Sequence, residues 1–294
     1  MIQKIGFVGL GAMGLGMARN LLEGGFEVHG CDLREEARQA LREVGGSATD
    51  SIETLLEPKP DVLALCLAGE AVTQICENVL LPRAPAGLRI MDHSTIPAPE
   101  TRRLHAAFAE KGIDYFDVPI SGGRGGAESG QLYLFIGGTA EHRADFTAYF
   151  DAVANPETVF YAGQVGQGQV MKAVQNMASW YMNAARQEIL AFARHSGLSD
   201  AHILQSVKED REPGDFARLL RQINADNVGI QVNLNAEYAY FLKEADANGF
   251  PMPLMRGLMD FLETEPRDAI DVVNRPAHNT WQRFMRTCEA TPKS

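Results

Sequence analysis

A glycine-rich segment near the start of the chain sets the strongest limit on the fold. The segment "KIGFVGLGAMGLGMARNL", 4–21, is an apolar strand-like run, then glycines spaced G-x-G-x-x-G, then a helical pattern. The first glycine permits a tight turn, the second lets the backbone approach a pyrophosphate, and the third allows close packing of helix on strand. Free N–H groups at such a helix start bind phosphate oxygens. The residues of this segment that are predicted to form the cofactor-binding turn are Gly9, Gly11, Ala12, Met13 and Gly14.

A carboxylate follows at the distance expected for the same kind of site. Asp32, in "VHGCDLR", lies 18 residues after Gly14, at the end of the second predicted strand. A carboxylate there accepts hydrogen bonds from ribose hydroxyls and repels a 2′-phosphate, which favours NAD over NADP. Arg34 keeps NADP open as the less favoured cofactor, because its guanidinium could bind that phosphate.

Short apolar runs alternate with helical patterns over the first 163 residues. Runs such as "VLALCL" are continuously apolar, as is typical of parallel strands that are covered on both faces. Strands are predicted at 4–8, 27–31, 62–67, 89–93, 115–118, 132–137 and 159–161, and helices at 13–23, 34–44, 70–79, 98–111 and 140–150. This alternation predicts an α/β fold, a Rossmann-type doubly wound and mostly parallel sheet.

The pattern becomes helical after residue 163. No proline lies between 167 and 195, and apolar residues recur at helical spacing, so one long helix is predicted there. Further helices are predicted at 200–207, 215–224, 234–248 and 254–263. We therefore expect a Rossmann domain, 1–163, and an all-α domain, 164–294, which begins with the long connecting helix. The apolar helix faces of the second domain predict a homo-oligomer, a dimer or a tetramer.

Composition limits the partners and the compartment. The net charge of −11 over 294 residues argues against binding to nucleic acid or to an anionic membrane. The four cysteines show no metal-ligand spacing, so no metal site is expected, and a chain of this length needs no disulfides. No apolar stretch approaches 18 residues and the first apolar run is short, which predicts a cytoplasmic protein.

Two more segments carry candidate chemistry. In "DVPISGGRGGAESGQL", 117–132, the glycines are too frequent for a helix. Their N–H groups and the Ser121 hydroxyl could bind a carboxylate, or the segment could be a flexible surface turn. In "GQVMKAVQN", 168–176, Lys172 shares a helix face with Gly168 and Asn176. One interpretation is that Lys172 faces a ligand, for which a glycine at 168 would leave room. The alternative is that Lys172 extends from an apolar helix into solvent.

These three segments, with "MDHSTIPAPE" and "QEILAFARHSGLS", resemble in order and spacing the β-hydroxyacid dehydrogenase family, which includes the 3-hydroxyisobutyrate dehydrogenases. The resemblance extends over residues 4–198. It implies an NAD-dependent oxidoreductase that interconverts a small anionic 3-hydroxy acid and its semialdehyde or 3-oxo acid. It also implies a set of roles: Lys172 transfers the proton, Ser121, Gly122 and Gly123 hold the substrate carboxylate, Asn176 binds substrate and places the lysine, and Thr95 lies near the nicotinamide.

A lysine suits that reaction because removal of a hydride from an alcohol also requires a base for the hydroxyl proton. Burial and the positive charge of an oxidised nicotinamide both disfavour the ammonium form of Lys172. Arg124, inside the glycine-rich segment, could bind a second anionic group of the substrate, or it could simply be solvated.

One departure from the family pattern and two alternatives accompany the resemblance. Family members often carry a Lys-Asp pair in the second domain, where this chain has Ala236 and Glu237; Lys243 is out of register by about two helical turns. The alternatives are an imine or semialdehyde reductase that uses NADPH, and a non-catalytic dinucleotide-binding relative. Lys172 argues against both, because imine reductases usually have another residue there and non-catalytic relatives tend to lose the lysine.

Overall fold

The N-terminal part of the chain is a layered α/β domain. The computed structural model describes residues 2–195, 197–207 and 234–247, and positions 249, 252, 255–257 and 259–260. The first half of the elements, in chain order, is β1 Lys4–Val8, α1 Ala12–Glu23, β2 Glu27–Cys31, α2 Glu35–Glu43, β3 Ser47–Thr49, α3 Ile52–Leu56, β4 Val62–Leu65, α4 Gly69–Ile75, α5 Leu81–Arg83, β5 Arg89–Asp92 and α6 Ala98–Ala109. A π-helical turn, Cys76–Leu80, joins α4 to α5.

The remaining described elements include the long helix. They are β6 Asp114–Asp117, β7 Ile120–Ser121, α7 Gly123–Glu128, β8 Leu132–Gly137, α8 Ala140–Asp145, α9 Thr147–Val153, β9 Ala154–Gly163, α10 Gln167–His195, α11 Asp200–Ser206 and α12 Leu234–Ala247. The predicted helix at 215–224 and the tail 265–294 lie outside the described residues, as does part of the predicted helix at 254–263.

One sheet contains the nine described strands. Its order is β3-β2-β1-β4-β5-β6-β8-β7, and β9 pairs with β8. The pairings from β3 through β6 are parallel, whereas β8 runs antiparallel to β6 and β7 and parallel to β9. The strand order reverses between β1 and β4, which is the arrangement of a doubly wound fold and confirms the predicted fold class.

Alternate residues of the strands supply two apolar layers. In β4, Val62 and Ala64 pack with the α1 side of the sheet, while Leu63 and Leu65 pack with the opposite side. This two-residue period follows from the pleat, and it explains why the strand sequences are apolar throughout.

The prediction that the glycine-rich segment cannot be helical is wrong for 123–128, which form α7. Gly122 enters the turn at a φ of 127°, and its carbonyl accepts from the N–H of Gly126. Ala127 is fully buried, and the backbone at 127–128 lies so close to Gly16 of α1 that a Cβ there would be 2.8 Å from the Ala127 carbonyl carbon. Tertiary packing thus offsets the helix-breaking tendency of glycine.

Other differences concern short or interrupted elements. The short β3, β7 and α3 were not predicted, β9 extends beyond the predicted 159–161, and the helix predicted at 140–150 is divided at Phe146 into α8 and α9. Elements of two to five residues carry too little periodicity to be distinguished from turns.

By the density of its internal contacts, the chain divides into two compact units, Met1–Val174 and Gln175–Ser294. The domain boundary predicted after residue 163 stays a prediction. The bounds of α10 match the long helix predicted at 167–195. In the described part of the chain, no helix combines the length and the apolar character that crossing a bilayer requires.

Candidate active site

The turn between β1 and α1 has the geometry of a phosphate-binding loop. Gly9 has a φ of 95°, and a Cβ there would lie 2.3 Å from the Cys66 carbonyl oxygen. A Cβ at Gly14 would lie 1.9 Å from the Gly9 carbonyl oxygen. Packing within the protein therefore explains both glycines. Gly11 differs, because no atom lies within 4 Å of a Cβ built there, and that open space is where a pyrophosphate can approach the backbone.

Asp32 lies at the end of β2, beside this turn. Its carboxylate accepts from the N–H of Leu10 at 2.9 Å and from the N–H and Nε of Arg34 at 2.9 and 3.1 Å. Partial burial acts to raise the pKa of Asp32, but the hydrogen bonds from Arg34 and Leu10 hold it below its usual value. Asp32 is therefore an anion, and the Arg34 guanidinium is already paired with it.

A cavity of about 540 Å³ opens at the carboxyl ends of β1 and β4, next to Asp32. Its wall includes Gly9 and Leu67, and its rim carries the acidic residues Asp50 and Glu53. Open α/β sheets bind their ligands at the point where the strand order reverses, and this cavity lies there. Its position and its hydrogen-bond acceptors fit the adenosine half of a dinucleotide.

The Ser121 segment enters α7 from the short strand β7. Ser121 pairs with Tyr133 of β8, and the next two residues, Gly122 and Gly123, have φ values of 127° and 62°. Successive backbone N–H groups in such conformations can converge on one anion. Arg124 is 70% exposed and forms an ion pair of 2.7 Å with Glu128. An exposed pair of this kind contributes little stability, so the pairing leaves the arginine able to exchange partners.

Helix α1, which follows the phosphate-binding loop, also contacts this segment. Asn20 of α1 is buried, and its side-chain amide donates to the Ala127 carbonyl oxygen at 2.7 Å. Together with the close approach of Gly16 to α7, this hydrogen bond holds the end of α7, the helix that follows the Ser121–Gly123 turn, against α1.

Lys172 lies in the second turn of α10 and is only 6% exposed. Asn176, one helical turn further, is also buried. A buried lysine and a buried amide on one face of a helix are unusual, because burial of polar groups is costly unless they are partnered. The alternative interpretation of Lys172 as a solvated lysine therefore does not describe its position.

Gly168 has a different role from the predicted one. A Cβ there would lie 2.2 Å from the Phe135 carbonyl oxygen, 2.7 Å from the Asp117 carboxylate and 2.9 Å from the Gly137 nitrogen. The prediction that Gly168 leaves room for a ligand is wrong, because its open side is filled by the sheet. The glycine instead lets the start of α10 touch β8.

Asp117, fully buried at the end of β6, anchors the same helix end. Its carboxylate accepts from the backbone N–H groups of Gly166 at 2.6 Å and Gln169 at 2.9 Å. Such groups at a helix start have no intrahelical partner, so a carboxylate from another strand can satisfy them. Burial raises the pKa of Asp117 to about 7, and the two N–H donors act in the opposite direction.

Gln169 connects the same turn to the segment after β5. Its Nε2 donates to the Ser94 carbonyl oxygen at 2.8 Å, and its Oε1 accepts from the Ile96 N–H at 3.4 Å. These two backbone groups lie on either side of Thr95, the residue for which the resemblance implies a place near the nicotinamide. Gln169 and Asp117 were not identified from the sequence. The sequence signal for Gln169 is a polar residue within an apolar helix stripe, and the signal for Asp117 is a single acidic residue at the end of a strand.

Fold and site together define a class, the dinucleotide-binding oxidoreductases with a Rossmann domain. The family model described as the NAD binding domain of 6-phosphogluconate dehydrogenase matches residues 4–163. This match, with the relatives below, shows that the chain belongs to the β-hydroxyacid dehydrogenase family.

Three similarities illustrate the relationship. The chain is 37% identical over 216 residues to a 3-hydroxyisobutyrate dehydrogenase of Pseudomonas aeruginosa, covering 72% of this chain and 71% of the relative. It is 31% identical over 218 residues to an NAD-dependent L-serine dehydrogenase of the same organism, covering 74% and 72%. The solved structure of Mycobacterium tuberculosis 3-hydroxyisobutyrate dehydrogenase with L-serine matches with a TM-score of 0.80 and 25% identity, covering 99% of this chain and 100% of that one.

Proposed function

We propose that this chain is an NAD-dependent dehydrogenase that oxidises a small anionic 3-hydroxy acid to its semialdehyde or 3-oxo acid, with Lys172 as the general acid and base. The observation that carries the proposal is the buried Lys172, on a helix whose first turn is bonded to the end of β6 and to the segment after β5. In a parallel sheet these strand ends lie at the edge where a dinucleotide binds. The names of the relatives support the substrate class.

Different groups of the site bind the substrate and transfer the proton. The successive N–H groups of Gly122 and Gly123, with the Ser121 hydroxyl, hold the substrate carboxylate. Asn176 donates to the substrate from the same helix face as Lys172, and it adds no competing charge. The neutral Lys172 amine takes the hydroxyl proton during oxidation, and its ammonium form returns the proton to the carbonyl oxygen during reduction.

The cofactor supplies one function, the acceptance of a hydride from the carbinol carbon. Gly9, Gly11 and Gly14, with the N–H groups of Ala12 and Met13 at the helix start, fit its pyrophosphate. We assign Thr95, in the segment after β5, to the nicotinamide end of the cofactor.

NAD is the cofactor that the charges favour. Asp32 already binds Arg34, and the rim of the neighbouring cavity carries Asp50 and Glu53. A 2′-phosphate would add about two negative charges beside these carboxylates, whereas ribose hydroxyls can donate to them. NADP use would require Arg34 to leave Asp32.

Arg124 suggests a preference within the substrate class. Its guanidinium is exposed next to the carboxylate-binding turn, and its one ion pair among the described contacts is with Glu128. A substrate with a second anionic group could exchange with Glu128 and gain a forked hydrogen bond. We therefore propose that dicarboxylate or sulfonate analogues are bound at least as well as 3-hydroxyisobutyrate.

The function is tested with a panel of 3-hydroxy acids and semialdehydes, including dicarboxylate and sulfonate analogues, assayed by the absorbance of reduced cofactor. We expect turnover of at least one 3-hydroxy acid with NAD. Lys172→Ala should lower kcat by about 10²–10⁴-fold while cofactor affinity is kept, because that range is the usual share of acid–base catalysis. Lys111→Ala, at an exposed lysine of the same unit, is the matched control and should keep wild-type turnover.

Each contrary result of these assays would contradict a different part of the proposed function. A Lys172→Ala enzyme with most of its turnover would remove the lysine from the mechanism. Cofactor binding without turnover of any panel member would favour the non-catalytic alternative, and reduction of imines with NADPH would favour the reductase alternative. If 3-hydroxyisobutyrate exceeds every dianionic analogue in kcat/KM, the role proposed for Arg124 is wrong.

A further inference from the structure

We propose that Gln169 is a positioning residue for this reaction: its side chain sets the distance between the Thr95 segment and the helix turn that carries Lys172. The proposal rests on the function proposed for Lys172 and adds a residue that touches neither substrate nor cofactor. All of the groups involved lie within the unit Met1–Val174.

One amide makes two bonds of opposite polarity to one short backbone segment. Gln169 is 3% exposed; its Nε2 donates to the Ser94 carbonyl at 2.8 Å and its Oε1 accepts from the Ile96 N–H at 3.4 Å. The two bonded groups belong to the residues before and after Thr95. Both the position and the orientation of the Thr95 peptide units are therefore fixed from α10.

The backbone of Gln169 is fixed as well, which makes the link rigid. Its N–H donates to the Asp117 carboxylate at 2.9 Å, and the Gly166 N–H donates to the same group at 2.6 Å. Gly168, between them, has no space for a Cβ against β8. Lys172 follows Gln169 by three residues, about one helical turn, so a shift of this turn displaces the lysine amine by a similar distance.

Glutamine meets the chemical requirements of this position better than its closest substitutes. The Ser94 carbonyl needs a donor and the Ile96 N–H needs an acceptor, and a neutral amide provides both. A glutamate would supply no donor and would add a charge near the buried carboxylates Asp92 and Asp117. A methionine has a similar length but leaves both backbone groups without this partner.

Displacement of this turn should affect the chemical step more than binding. Proton and hydride transfer require the reacting atoms in close alignment, and a misplacement of about 1 Å can lower the rate about 10²-fold. We therefore expect Gln169→Met to lower kcat by roughly 10–100-fold, while the Kd for NADH changes by less than about threefold. Slower chemistry should also raise the primary deuterium isotope effect on kcat with a substrate deuterated at the carbinol carbon.

The control is Gln167→Met, the same substitution at an exposed position two residues earlier, which should leave kcat, the isotope effect and the melting temperature near the wild-type values. Gln169→Glu is the second variant, and its kcat should be at least as low as that of Gln169→Met. A purely structural role predicts another result: fewer active molecules by cofactor titration, with an unchanged isotope effect and unchanged kcat per active site.

Two results would overturn the proposal. One is a folded Gln169→Met enzyme whose kcat is within twofold of wild type; the other is a loss of kcat that vanishes after correction for the active fraction. If the wild type turns over a 3-hydroxy acid and Lys172→Ala is impaired, either result refutes only the positioning role of Gln169. If Lys172→Ala keeps its turnover, the function proposed for Lys172 is refuted, independently of the result for Gln169→Met.

Discussion

His93 shows at the scale of one residue how the fold fixes a protonation state. Its Nδ1 lies 2.8 Å from the Val118 carbonyl oxygen, which can only accept, so Nδ1 carries the proton. The Nε2 atom then accepts from the Tyr149 hydroxyl at 2.8 Å. Burial lowers the pKa of His93 to about 4, although the bond to Val118 acts in the opposite direction. A ring held neutral in this way is a structural link between β5 and α9 rather than an acid or base near pH 7.

This neutral state makes folding depend on pH in a defined direction. The unfolded histidine has a pKa of about 6.5, so between about pH 6.5 and 4 the unfolded chain binds the proton that the folded protein excludes. The contribution of His93 to stability is therefore complete above pH 6.5 and is lost as the pH falls. Burial raises the pKa of Asp92 to about 6 and that of Asp117 to about 7, and these two act in the opposite direction over the same range.

A variant separates these opposing contributions. His93→Asn keeps a donor for the Val118 carbonyl and removes the titration, so its stability deficit relative to wild type should shrink by about 2 kcal/mol between pH 7.5 and 5. Urea unfolding at several pH values measures this difference. His202→Asn, at an exposed histidine, is the control and should show a nearly constant difference from wild type. A deficit for His93→Asn that does not change with pH would show that His93 titrates alike in both states.

The residues that could be predicted from the sequence are those whose role is local. Gly9 and Gly14 are required by a turn of a few residues, and Asp32 lies at the end of the next strand, so their spacing predicts these positions; their contacts with a cofactor stay predictions. Asp117 and Gln169 act through partners 49 to 75 residues away in the chain. No spacing in the sequence encodes such pairs, because β-sheet order decides which strand ends meet.

The helices and strands show the same distinction between local and tertiary causes. The strands β1, β2 and β8 and the helix α10 have their predicted bounds, and β8 and α10 carry a sustained apolar pattern of the matching period. In contrast, α7 contains several glycines and is helical because α1 covers it. The predicted reason for Gly168 was also wrong, since contact between α10 and β8 is a tertiary feature.

That contact gives a prediction at the scale of the element. Glycine to alanine normally stabilises a helix by about 1 kcal/mol. At Gly168 the added Cβ would lie 2.2 Å from a backbone oxygen of β8, so the first turn of α10 must move. We expect Gly168→Ala to lower the free energy of unfolding by about 1–3 kcal/mol, as overpacking does, and to lower kcat as well.

The matched control for this element is Gly125→Ala. Gly125 is a helical glycine of α7, and nothing lies within 4 Å of a Cβ built there. The control should be neutral or slightly stabilising. Denaturant unfolding of both variants checks the contrast. A Gly168→Ala protein as stable as Gly125→Ala would mean that the start of α10 is not held against β8.

For the whole molecule, the fold class and the family could be predicted from the chain alone, because the glycine spacing, the βα alternation and the later motifs agree with one another. The predicted homo-oligomer and cytoplasmic location stay predictions. The preference for NAD over NADP also stays a prediction; it is argued from a few charges around one cavity, and it can be tested through the stability of the entire protein.

A ligand that binds only the folded state raises its stability by about 2.7 kcal/mol at 100 times its Kd. At equal concentration, NAD should therefore raise the melting temperature of the wild type more than NADP does, because Asp32 repels a 2′-phosphate and retains Arg34. Asp32→Ser removes that carboxylate and leaves Arg34 without this ion pair, so the variant should lose part of the shift with NAD and gain one with NADP. Asp151→Ser, at an exposed acidic residue, should behave as wild type. A wild-type protein that NADP stabilises more than NAD would show that Arg34, and not Asp32, determines the cofactor.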